Sequence, residues 1–256
     1  MQFQILYEDE DVLAVDKPSG MVVNRAESVK GKTVEDWAEK ELKIKNEKLK
    51  IDDGSDFYKR SGVVHRLDKE TSGILLIAKT PEAFKELQRQ FKAREVEKTY
   101  IALVHGKVVP PKGVIRAPVG RLPWHRERFG VLAGGREAET RYKTISNFAP
   151  SPKRLWRVGD KTQISNEELT LLELYPKTGR THQIRVHLKS ISHPVIGDPL
   201  YAGRKTARRD RQWCPRLFLH AKEIVFGHPR TGKPVSVATE LPQDLGETIR
   251  KLTTDN

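Results

Sequence analysis

The sequence predicts an α+β fold, and three observations support this class. Short apolar runs bounded by turn residues recur along the chain, which is typical of strands. Fewer segments show the three-to-four-residue apolar spacing of amphipathic helices. The strands also do not alternate regularly with helices, which favours hairpins over a doubly wound α/β sheet. With 256 residues the chain is long enough for one large domain, and we expect a single domain over 1–256.

The N-terminal segment predicts a hairpin followed by a helix. Apolar runs at 3–7 and 11–16 flank an acidic turn, as two paired strands would. Thr33 is a suitable N-cap for a helix over about 34–42, because its apolar residues fall on one face. Residues 43–60 are polar and lose this periodicity, which predicts a mobile surface segment that orders on binding a partner, or a plain solvated loop.

A buried strand and a capped helix follow in the middle of the chain. The apolar run 74–78 is bounded by turn residues and predicts the strand. Thr80 and Pro81 supply an N-cap and a first-turn proline for a helix that ends near Arg94. Residues 98–105 predict the next strand, which Gly106 closes.

The remainder alternates basic irregular segments with short strands. We expect a long loop or a ragged hairpin over 107–136, a helix capped by Thr181, a basic loop over 203–211 and a final helix over about 243–252. The predicted strands of this part lie at 137–146, 168–175, 216–221, 223–226 and 235–238.

Charge and cysteine content limit the class of protein. A net charge of +13 suits a polyanionic partner, either nucleic acid or a membrane surface. No segment approaches the roughly 20 apolar residues that span a bilayer, and the N-terminus is unlike a signal peptide. The single Cys214 excludes an internal disulfide, and no zinc-like spacing is present. We therefore expect a reduced, cytoplasmic protein without a metal, a cofactor or a membrane partner.

One polar stretch stands out beside the central strand. Residues 65–80 read HRLDKETSGILLIAKT, so that Asp68 lies between Arg66 and Lys69 on a loop that enters the sheet. Taken alone, such an aspartate is more often a structural partner of a neighbouring arginine. The same holds for Arg180 in its TGRT context, which alone would be an ordinary surface charge.

The residue pattern of the stretch 65–80 resembles a motif of the RluA-type pseudouridine synthases, HRLDxxTSGLLLxAK. The opening ILYEDEDVLAVDKPSGMVV at 5–23 and the string ELYPKTGRTHQIRVHLKSISHPVIGDPLY at 173–201 resemble two further motifs of that family. The resemblance runs from residue 3 to about 240 and is weakest over 107–160. We expect target selection there and in the basic loops at 43–60 and 203–211. Because the opening motif begins at residue 3, we expect no N-terminal S4-type domain.

The resemblance implies a fold and a set of site residues. The fold would be a long, mostly antiparallel mixed sheet in two halves flanked by helices, with the active site in a central basic cleft. Asp68 would be the catalytic carboxylate and Arg180 its cationic partner. Tyr100 would pack against the target uracil and Leu219 against its other face, where core packing is the alternative. Arg66 would fill the stack that the flipped base leaves, or help to hold Asp68.

The resemblance also implies a reaction and a substrate. The enzyme would be an isomerase that converts uridine to pseudouridine in RNA, with large-subunit ribosomal RNA as the first expected target and transfer RNA as the second. We expect a monomer. Two other functions fit parts of the sequence. A non-catalytic RNA-binding protein would explain the charge, and a nucleosidase or glycosidase would also use a carboxylate, although glycoside hydrolysis usually needs two.

Overall fold

The chain folds into two compact units, neither of which is one continuous segment. The computed structural model describes residues 3–27, 29–42, 55–123, 125–149 and 168–253. The first unit consists of Met1–Lys98 and Ala221–Glu240, and the second of Thr99–His220 and Leu241–Asn256. Two strands, β4 (Glu97–His105) and β10 (Leu219–Gly227), carry the chain from one unit into the other.

The described residues of the first unit combine a set of sheet strands with three helices. Its further strands are β1 (Gln4–Glu8), β2 (Val12–Lys17), β3 (Ser72–Ala78) and β11 (Pro234–Ala238). Its helices are α1 (Val34–Glu41), α2 (Asp56–Lys59) and α3 (Pro81–Ala93). The strands lie in the order β1-β2-β3-β10-β11, and the ladders β1–β2, β2–β3 and β10–β11 are antiparallel. The predicted N-terminal hairpin is therefore confirmed.

Strand β3 lies at the centre of the apolar core of this unit. All seven of its residues are buried, as expected for an apolar run without polar alternation. The core packs β3 and α3 against residues that come much later in the chain, namely Ile224, Phe226 and Val237. Gly73 has φ +115°, and a Cβ built there would lie 2.2 Å from the Ala221 carbonyl oxygen, so only glycine fits.

The caps predicted for the first two long helices are present. The Thr33 side chain accepts a hydrogen bond from the Asp36 amide, and the Asp36 carboxylate accepts one from the Thr33 amide, which completes a capping box. The Thr80 hydroxyl accepts from the Ala83 amide ahead of Pro81. Both helices therefore begin where the sequence predicts.

The described residues of the second unit contain a run of four antiparallel strands, a separate two-stranded ribbon and three helices. Its strands besides β4 are β5 (Lys112–Arg116), β6 (Val119–Leu122), β7 (His125–Val131), β8 (Glu139–Phe148) and β9 (Leu169–Pro176). Its helices are α4 (Gln183–Ser190), α5 (Arg204–Asp210) and α6 (Gln243–Thr253). The sheet order is β4-β9-β8-β5, and β6 pairs with β7 as the ribbon. The α+β class is confirmed.

The structure corrects two predictions from the sequence and bears on two others. Of the two alternatives for 107–136, a long loop or a ragged hairpin, it supports the hairpin, because β6 pairs with β7 after the short strand β5. The basic segment 203–211 contains a helix, because Ala207 and Asp210 are buried and give it an inner face. Thr181 is not an N-cap, since α4 begins after His182, a non-glycine residue with φ 56°. The polar segment 43–60 lies largely outside the described residues, but its end forms α2 around the buried Phe57.

No helix in the described parts of the chain is both long enough and apolar enough to cross a lipid bilayer.

Candidate active site

The loop that carries Asp68 lies in the first unit, directly before β3. Arg66 is exposed, Leu67 is buried and Asp68 is half-buried, so the carboxylate sits at the boundary between core and solvent. The Thr71 amide donates to the Asp68 carbonyl over 3.1 Å, which closes a turn just after the aspartate. The structure thus places Arg66 and Asp68 on one tight loop anchored by a wholly buried strand.

A buried lysine fixes this loop from the opening motif. Lys17 is fully buried, and its ammonium donates to the carbonyl oxygens of Pro18 at 2.8 Å, Met21 at 3.0 Å and Lys69 at 3.2 Å. An ammonium has three N–H donors, and three carbonyls surround it here. Burial of an ammonium is costly unless it is hydrogen-bonded, so Lys17 and its three carbonyl acceptors, which we call the lysine clamp, fix the backbone conformation next to Asp68. The sequence analysis treated Lys17 only as the end of a strand.

Two further hydrogen bonds join the same segments. The Gly20 amide donates to the Lys69 carbonyl over 2.8 Å, and the Ser19 hydroxyl donates to the Glu70 carbonyl over 2.7 Å. Gly20 has φ +87°, a conformation that glycine adopts most readily. The opening motif and the Asp68 loop are therefore one structural element of the first unit, joined by hydrogen bonds to the carbonyls of Lys69 and Glu70.

His65 supports the loop as a neutral ring. Its Nε2 accepts a hydrogen bond from the Leu76 amide at 3.0 Å, and the ring stacks on Phe91 with centroids 4.8 Å apart. Burial, with smaller contributions from the positive charges of Lys98 and Arg60, lowers the pKa of His65 to about 3. The ring therefore stays uncharged near neutral pH, and its contacts give it a structural role.

The Arg180 loop lies in the second unit and is held by one glutamine. Gln183 is 4% exposed, and its side-chain oxygen accepts from the Thr178 hydroxyl at 2.7 Å and from the Arg180 amide at 3.0 Å. Its side-chain nitrogen donates to the Glu139 carbonyl and to the Thr140 hydroxyl, both over 3.0 Å. All four hydrogen-bonding positions of the amide are used, so Gln183 links the Arg180 backbone to β8.

A directional chain of hydrogen bonds continues behind Gln183. His187 is fully buried, and its Nε2 lies 3.0 Å from the Ala117 carbonyl, which can only accept. Burial, opposed by the hydrogen bond to Ala117, lowers the pKa of His187 and favours the neutral ring. Its Nδ1 is then an acceptor, so the Thr140 hydroxyl donates to it over 2.9 Å. Thr140, which lies in the region 107–160 where the resemblance is weakest, thus helps to hold the Arg180 loop.

The Arg180 side chain also makes a contact of its own. Its Nε donates to the Glu137 carbonyl over 3.1 Å, just ahead of β8. Gln183 therefore holds the backbone of Arg180, and the Glu137 carbonyl holds part of its guanidinium. These two anchors leave the arginine half-buried on a fixed loop.

The rest of the motif at 173–201 builds the fold around Arg180. Arg185 and Asp198 form a buried bidentate ion pair with two contacts of 2.8 Å. Asp198 also accepts from the amides of Leu200 and Tyr201, which orders the turn after α4. The Tyr201 hydroxyl lies 2.8 Å from Nδ1 of His182, and this contact supports the left-handed backbone of His182.

The two remaining predicted residues lie in the second unit. Tyr100 is half-buried on β4, where it packs against the apolar core. Leu219 begins β10, is 3% exposed and belongs to the same core, so core packing is what the structure displays for it. Asp68 and Arg66 belong to the first unit, so their meeting with Arg180, Tyr100 and Leu219 in one basic cleft stays a prediction.

A group of potential metal ligands lies away from the Asp68 loop in sequence. Among the described residues, Asp9, Asp11 and His228 place three ligand atoms within 4.8 Å of one another. These atoms already bond within the protein: His228 Nε2 lies 2.9 Å from Asp9, and Arg230 lies 2.8 Å from Asp11. Burial opposes ionisation of Asp9, but hydrogen bonds from Tyr7 and from backbone amides outweigh it and lower the pKa to about 2. The arrangement joins two turns of the first unit.

Comparison with known proteins identifies the family. Residues 11–190 match the family model described as RNA pseudouridylate synthase. An uncharacterized RNA pseudouridine synthase of Mycobacterium bovis is 36% identical over 97% of this chain and 72% of its own length. An uncharacterized RNA pseudouridine synthase of Bacillus subtilis is 37% identical over 98% of this chain and 73% of its own. The ribosomal large subunit pseudouridine synthase D of Pseudomonas aeruginosa is 34% identical, with coverages of 96% and 70%.

Solved structures agree with the sequence relatives. The human RNA pseudouridylate synthase domain containing 1 superposes with a TM-score of 0.67 at 25% identity, covering 94% of this chain and 84% of that chain. The human RNA pseudouridylate synthase domain containing 4 has the same TM-score at 21% identity, covers 97% of this chain and 92% of its own, and supports the fold alone. From its motifs, its fold and these relatives, the chain belongs to the RluA-type branch of the RNA pseudouridylate synthase family of isomerases.

Proposed function

We propose that the chain isomerises uridine to pseudouridine in RNA, with Asp68 as the catalytic carboxylate. In this reaction the C1′–N1 bond of uridine breaks, the uracil turns, C1′ bonds to C5, the proton on C5 is lost and N1 takes up a proton. The atoms of the nucleoside are conserved, so the reaction needs neither a redox cofactor nor ATP. It does need an ionised carboxylate beside C1′, a pocket for the detached uracil and a base for the last proton.

The observation that supports this proposal best is the way in which the Asp68 loop is held in place. The carboxylate is half-buried at a turn, and the backbone beside it is fixed by the Lys17 ammonium and by a wholly buried strand. A catalytic group contributes most when its geometry is set before the substrate arrives. An exposed surface aspartate would not require a buried ammonium to hold the next residue.

The other residues receive the roles that the family resemblance implies. Arg180 would be the cationic partner of the Asp68 carboxylate. Tyr100 would stack on the flipped uracil, and its hydroxyl would assist removal of the C5 proton. Leu219 would contact the opposite face of the base, and Arg66 would fill the vacated stack or steady Asp68. Each role depends on the two units forming one cleft.

Substitution of Asp68 by asparagine tests the central assignment. Asp68→Asn keeps the size of the side chain and removes both the charge and the nucleophile, so we expect no pseudouridine while RNA binding persists. A filter-binding titration and a single-turnover assay on the same RNA report the two properties separately. Glu70→Gln is the matched control, because it removes a carboxylate from the same half-buried turn. Substantial product from Asp68→Asn, or equal loss in the control, would contradict the assignment.

The target and the state of the enzyme are part of the same proposal. Two of the relatives are named ribosomal large subunit pseudouridine synthases, which favours large-subunit ribosomal RNA over transfer RNA as the target. We expect a monomer that works in the cytoplasm without binding membranes. Mapping pseudouridines in ribosomal and transfer RNA from cells with and without this chain identifies the target. Loss of a site only in transfer RNA would contradict the ribosomal assignment.

A further inference from the structure

Helix α5 presents an unusual concentration of positive charge. Its segment reads GRKTARRDR over 203–211, and the exposed side chains are those of Arg204, Lys205, Arg208 and Arg211. Arg204, Arg208 and Arg211 are spaced by four and three residues, so they lie on one side of the helix. We call these four residues the α5 cationic face.

The helix itself is anchored firmly in the second unit. Ala207 and Asp210 form its buried side. The Asp210 carboxylate, which is fully buried, lies 3.1 Å from Nε2 of His105 and accepts from the Gly197 amide over 2.9 Å. The carbonyl of Asp210 also accepts from the amides of Trp213 and Cys214. The cationic face is therefore mounted on a fixed backbone, although its side chains extend into solvent.

The α5 cationic face lacks acidic partners within the described residues. None of its four side chains lies within 4.0 Å of a carboxylate in the described ranges 3–27, 29–42, 55–123, 125–149 and 168–253. Several other exposed arginines are paired, among them Arg89 with Glu86 and Glu95, Arg116 with Glu139, and Arg230 with Glu10 and Asp11. Exposure alone therefore does not decide whether an arginine is paired, and what distinguishes the α5 cationic face is the presence of four such cations on one short helix.

The charge pattern works against the helix that carries it. Like charges one helical turn apart repel, and Arg204 places a positive charge at the positive end of the helix dipole. A segment with so little apolar character forms a helix only because Asp210 and Ala207 anchor it. Such an arrangement is readily understood if an anion from outside the chain neutralises the face.

We propose that the α5 cationic face binds consecutive phosphates of the RNA substrate, an inference that rests on the proposed function. At about 1.5 Å of rise per residue, Arg204 and Arg211 are separated by about 10 Å along the helix. Phosphates of one strand follow one another at a few ångströms of axial rise, so the face spans two or three of them. Guanidinium groups bind phosphate oxygens through paired N–H donors, which suits arginine at three of the four positions.

The composition of the face favours RNA over a membrane. An interfacial helix needs large apolar side chains opposite its charges to enter the lipid boundary. In α5 the opposite side holds Ala207 and Asp210, both of which are buried inside the protein. Charge without exposed apolar area fits a phosphate backbone.

The test compares two triple variants with the same change in net charge. Arg204→Gln/Arg208→Gln/Arg211→Gln removes three unpaired charges and keeps good helix formers in α5. Arg89→Gln/Arg116→Gln/Arg230→Gln removes three charges that are already paired. Binding of each protein to large-subunit ribosomal RNA transcribed in vitro is measured across a series of salt concentrations. Pseudouridine formation on the same RNA is measured in single turnovers at saturating enzyme.

The α5 variant should show a shallower salt dependence than the control. Loss of three phosphate contacts should reduce the log–log slope by about 2, since each contact contributes about 0.7 to 0.9. The single-turnover rate at saturation should stay close to that of the wild type. Lysine at the same three positions should restore most of the slope, which separates lost charge from a damaged helix.

Each alternative result has a distinct meaning. Equal slopes for the two triple variants, with an active wild type, would overturn the inference about α5 and leave the proposed function standing. A shallower slope for the α5 variant alone, with a wild type that binds RNA but makes no pseudouridine, would uphold the inference and overturn the proposed function. Arginine-dependent sedimentation with vesicles of phosphatidylserine and phosphatidylcholine, without a slope difference on RNA, would assign the face to a membrane instead.

Discussion

The two loops that carry the predicted Asp68 and Arg180 are held by different means. In the first unit a buried ammonium, that of Lys17, donates to three backbone carbonyls around the Asp68 loop. In the second unit a neutral amide, that of Gln183, makes two donated and two accepted hydrogen bonds around the Arg180 loop. Each loop therefore depends on one buried polar side chain that belongs to a different motif segment.

The difference follows from what each loop offers. Three backbone carbonyls accept hydrogen bonds from Lys17, and an ammonium is a donor at every position. The Arg180 loop offers the Arg180 amide and the Thr178 hydroxyl as donors, while β8 offers acceptors, so an amide fits where a charge would not. Charged hydrogen bonds are the stronger kind, and their loss leaves more buried groups unsatisfied. The first clamp should therefore matter more for stability, and the second more for the placement of one side chain.

Loss of the ammonium should have the largest effect on stability. Lys17→Met keeps an unbranched apolar stem and removes all three donors, which leaves the carbonyls of Pro18 and Met21 without this partner. We expect the free energy of unfolding to fall by about 3 kcal/mol, since each lost charged hydrogen bond costs about 1.5 to 3 kcal/mol and some backbone relaxation follows. Urea denaturation measures the change.

Lys69→Met is the matched control for the lysine clamp. It removes the same functional group from the exposed side chain of the clamped loop, and surface changes of this kind are usually worth less than about 0.5 kcal/mol. Similar losses in the two variants would show that the Lys17 ammonium does not hold the loop.

Changing Gln183 to glutamate should affect turnover more than binding. A carboxylate still accepts from Thr178 and Arg180, but it cannot donate to the Glu139 carbonyl or to Thr140. The Arg180 loop then loses its connection to β8, and a displacement of 1 Å at a catalytic group can cost up to about a hundredfold in rate. We expect single-turnover rates to fall by about tenfold or more, with unchanged RNA affinity and a loss of about 2 kcal/mol in stability.

Gln88→Glu on α3 is the control for the glutamine clamp, because this partly exposed side chain lies on a helix of the first unit. It introduces the same charge without the buried contacts. If Gln183→Glu weakened RNA binding and left the rate at saturation intact, the clamp would be a binding element and not a support for Arg180.

The smallest expected effect is the pH dependence of stability that His65 produces. Between pH 6.5 and 5 the unfolded chain takes up a proton at His65, whereas the folded ring stays neutral because its pKa is about 3. Protons therefore favour unfolding in this window, and His65 should contribute full stability above pH 6.5 and less below it. The limit for one group is about 1.4 kcal/mol per pH unit, and we expect about 1 kcal/mol over the window.

His65→Gln keeps an acceptor for the Leu76 amide and removes the titrating ring, so it should flatten this dependence. Unfolding free energies from urea titrations at several pH values measure the slope. His125→Gln, at an exposed position of β7, should leave the slope as it is. Asp9 and Asp36 do not interfere between pH 6.5 and 5. Their folded pKa values are about 2, so their contribution to the free energy of unfolding is lost only at lower pH. A slope that His65→Gln does not change would contradict a neutral buried His65.

Local sequence signals predicted the parts of the fold that local chemistry controls. Thr33 and Thr80 cap helices within three residues of themselves, so their function can be inferred from sequence spacing. Helix α5 could not be predicted in this way, because its anchor is a contact between Asp210 and His105, which are 105 residues apart. The start of α4 could not be predicted either, because the left-handed backbone conformation of His182 depends on its contact with Tyr201 and not on the propensity of histidine.

The site residues follow the same division. Asp68 and Arg180 stand out through motifs that resemble a known family. Lys17 and Gln183 lie inside those motifs, but some of their hydrogen-bond partners come from other segments, and the spacing of residues does not reveal these long-range contacts. The one available signal was a lysine at the end of an apolar strand, since such a residue is rarely buried without a partner.

The order of the chain also has a consequence for its synthesis on the ribosome. The core of the first unit includes Ile224, Phe226 and Val237, so Ile74, Leu76 and Phe84 lack these neighbours when they emerge. At about 5 to 20 residues per second, translation of the intervening segment takes on the order of ten seconds. The nascent first unit must wait through that interval with part of its apolar surface uncovered, and the core of the second unit in turn lacks Leu245 and Leu252 until the last segment of the chain emerges.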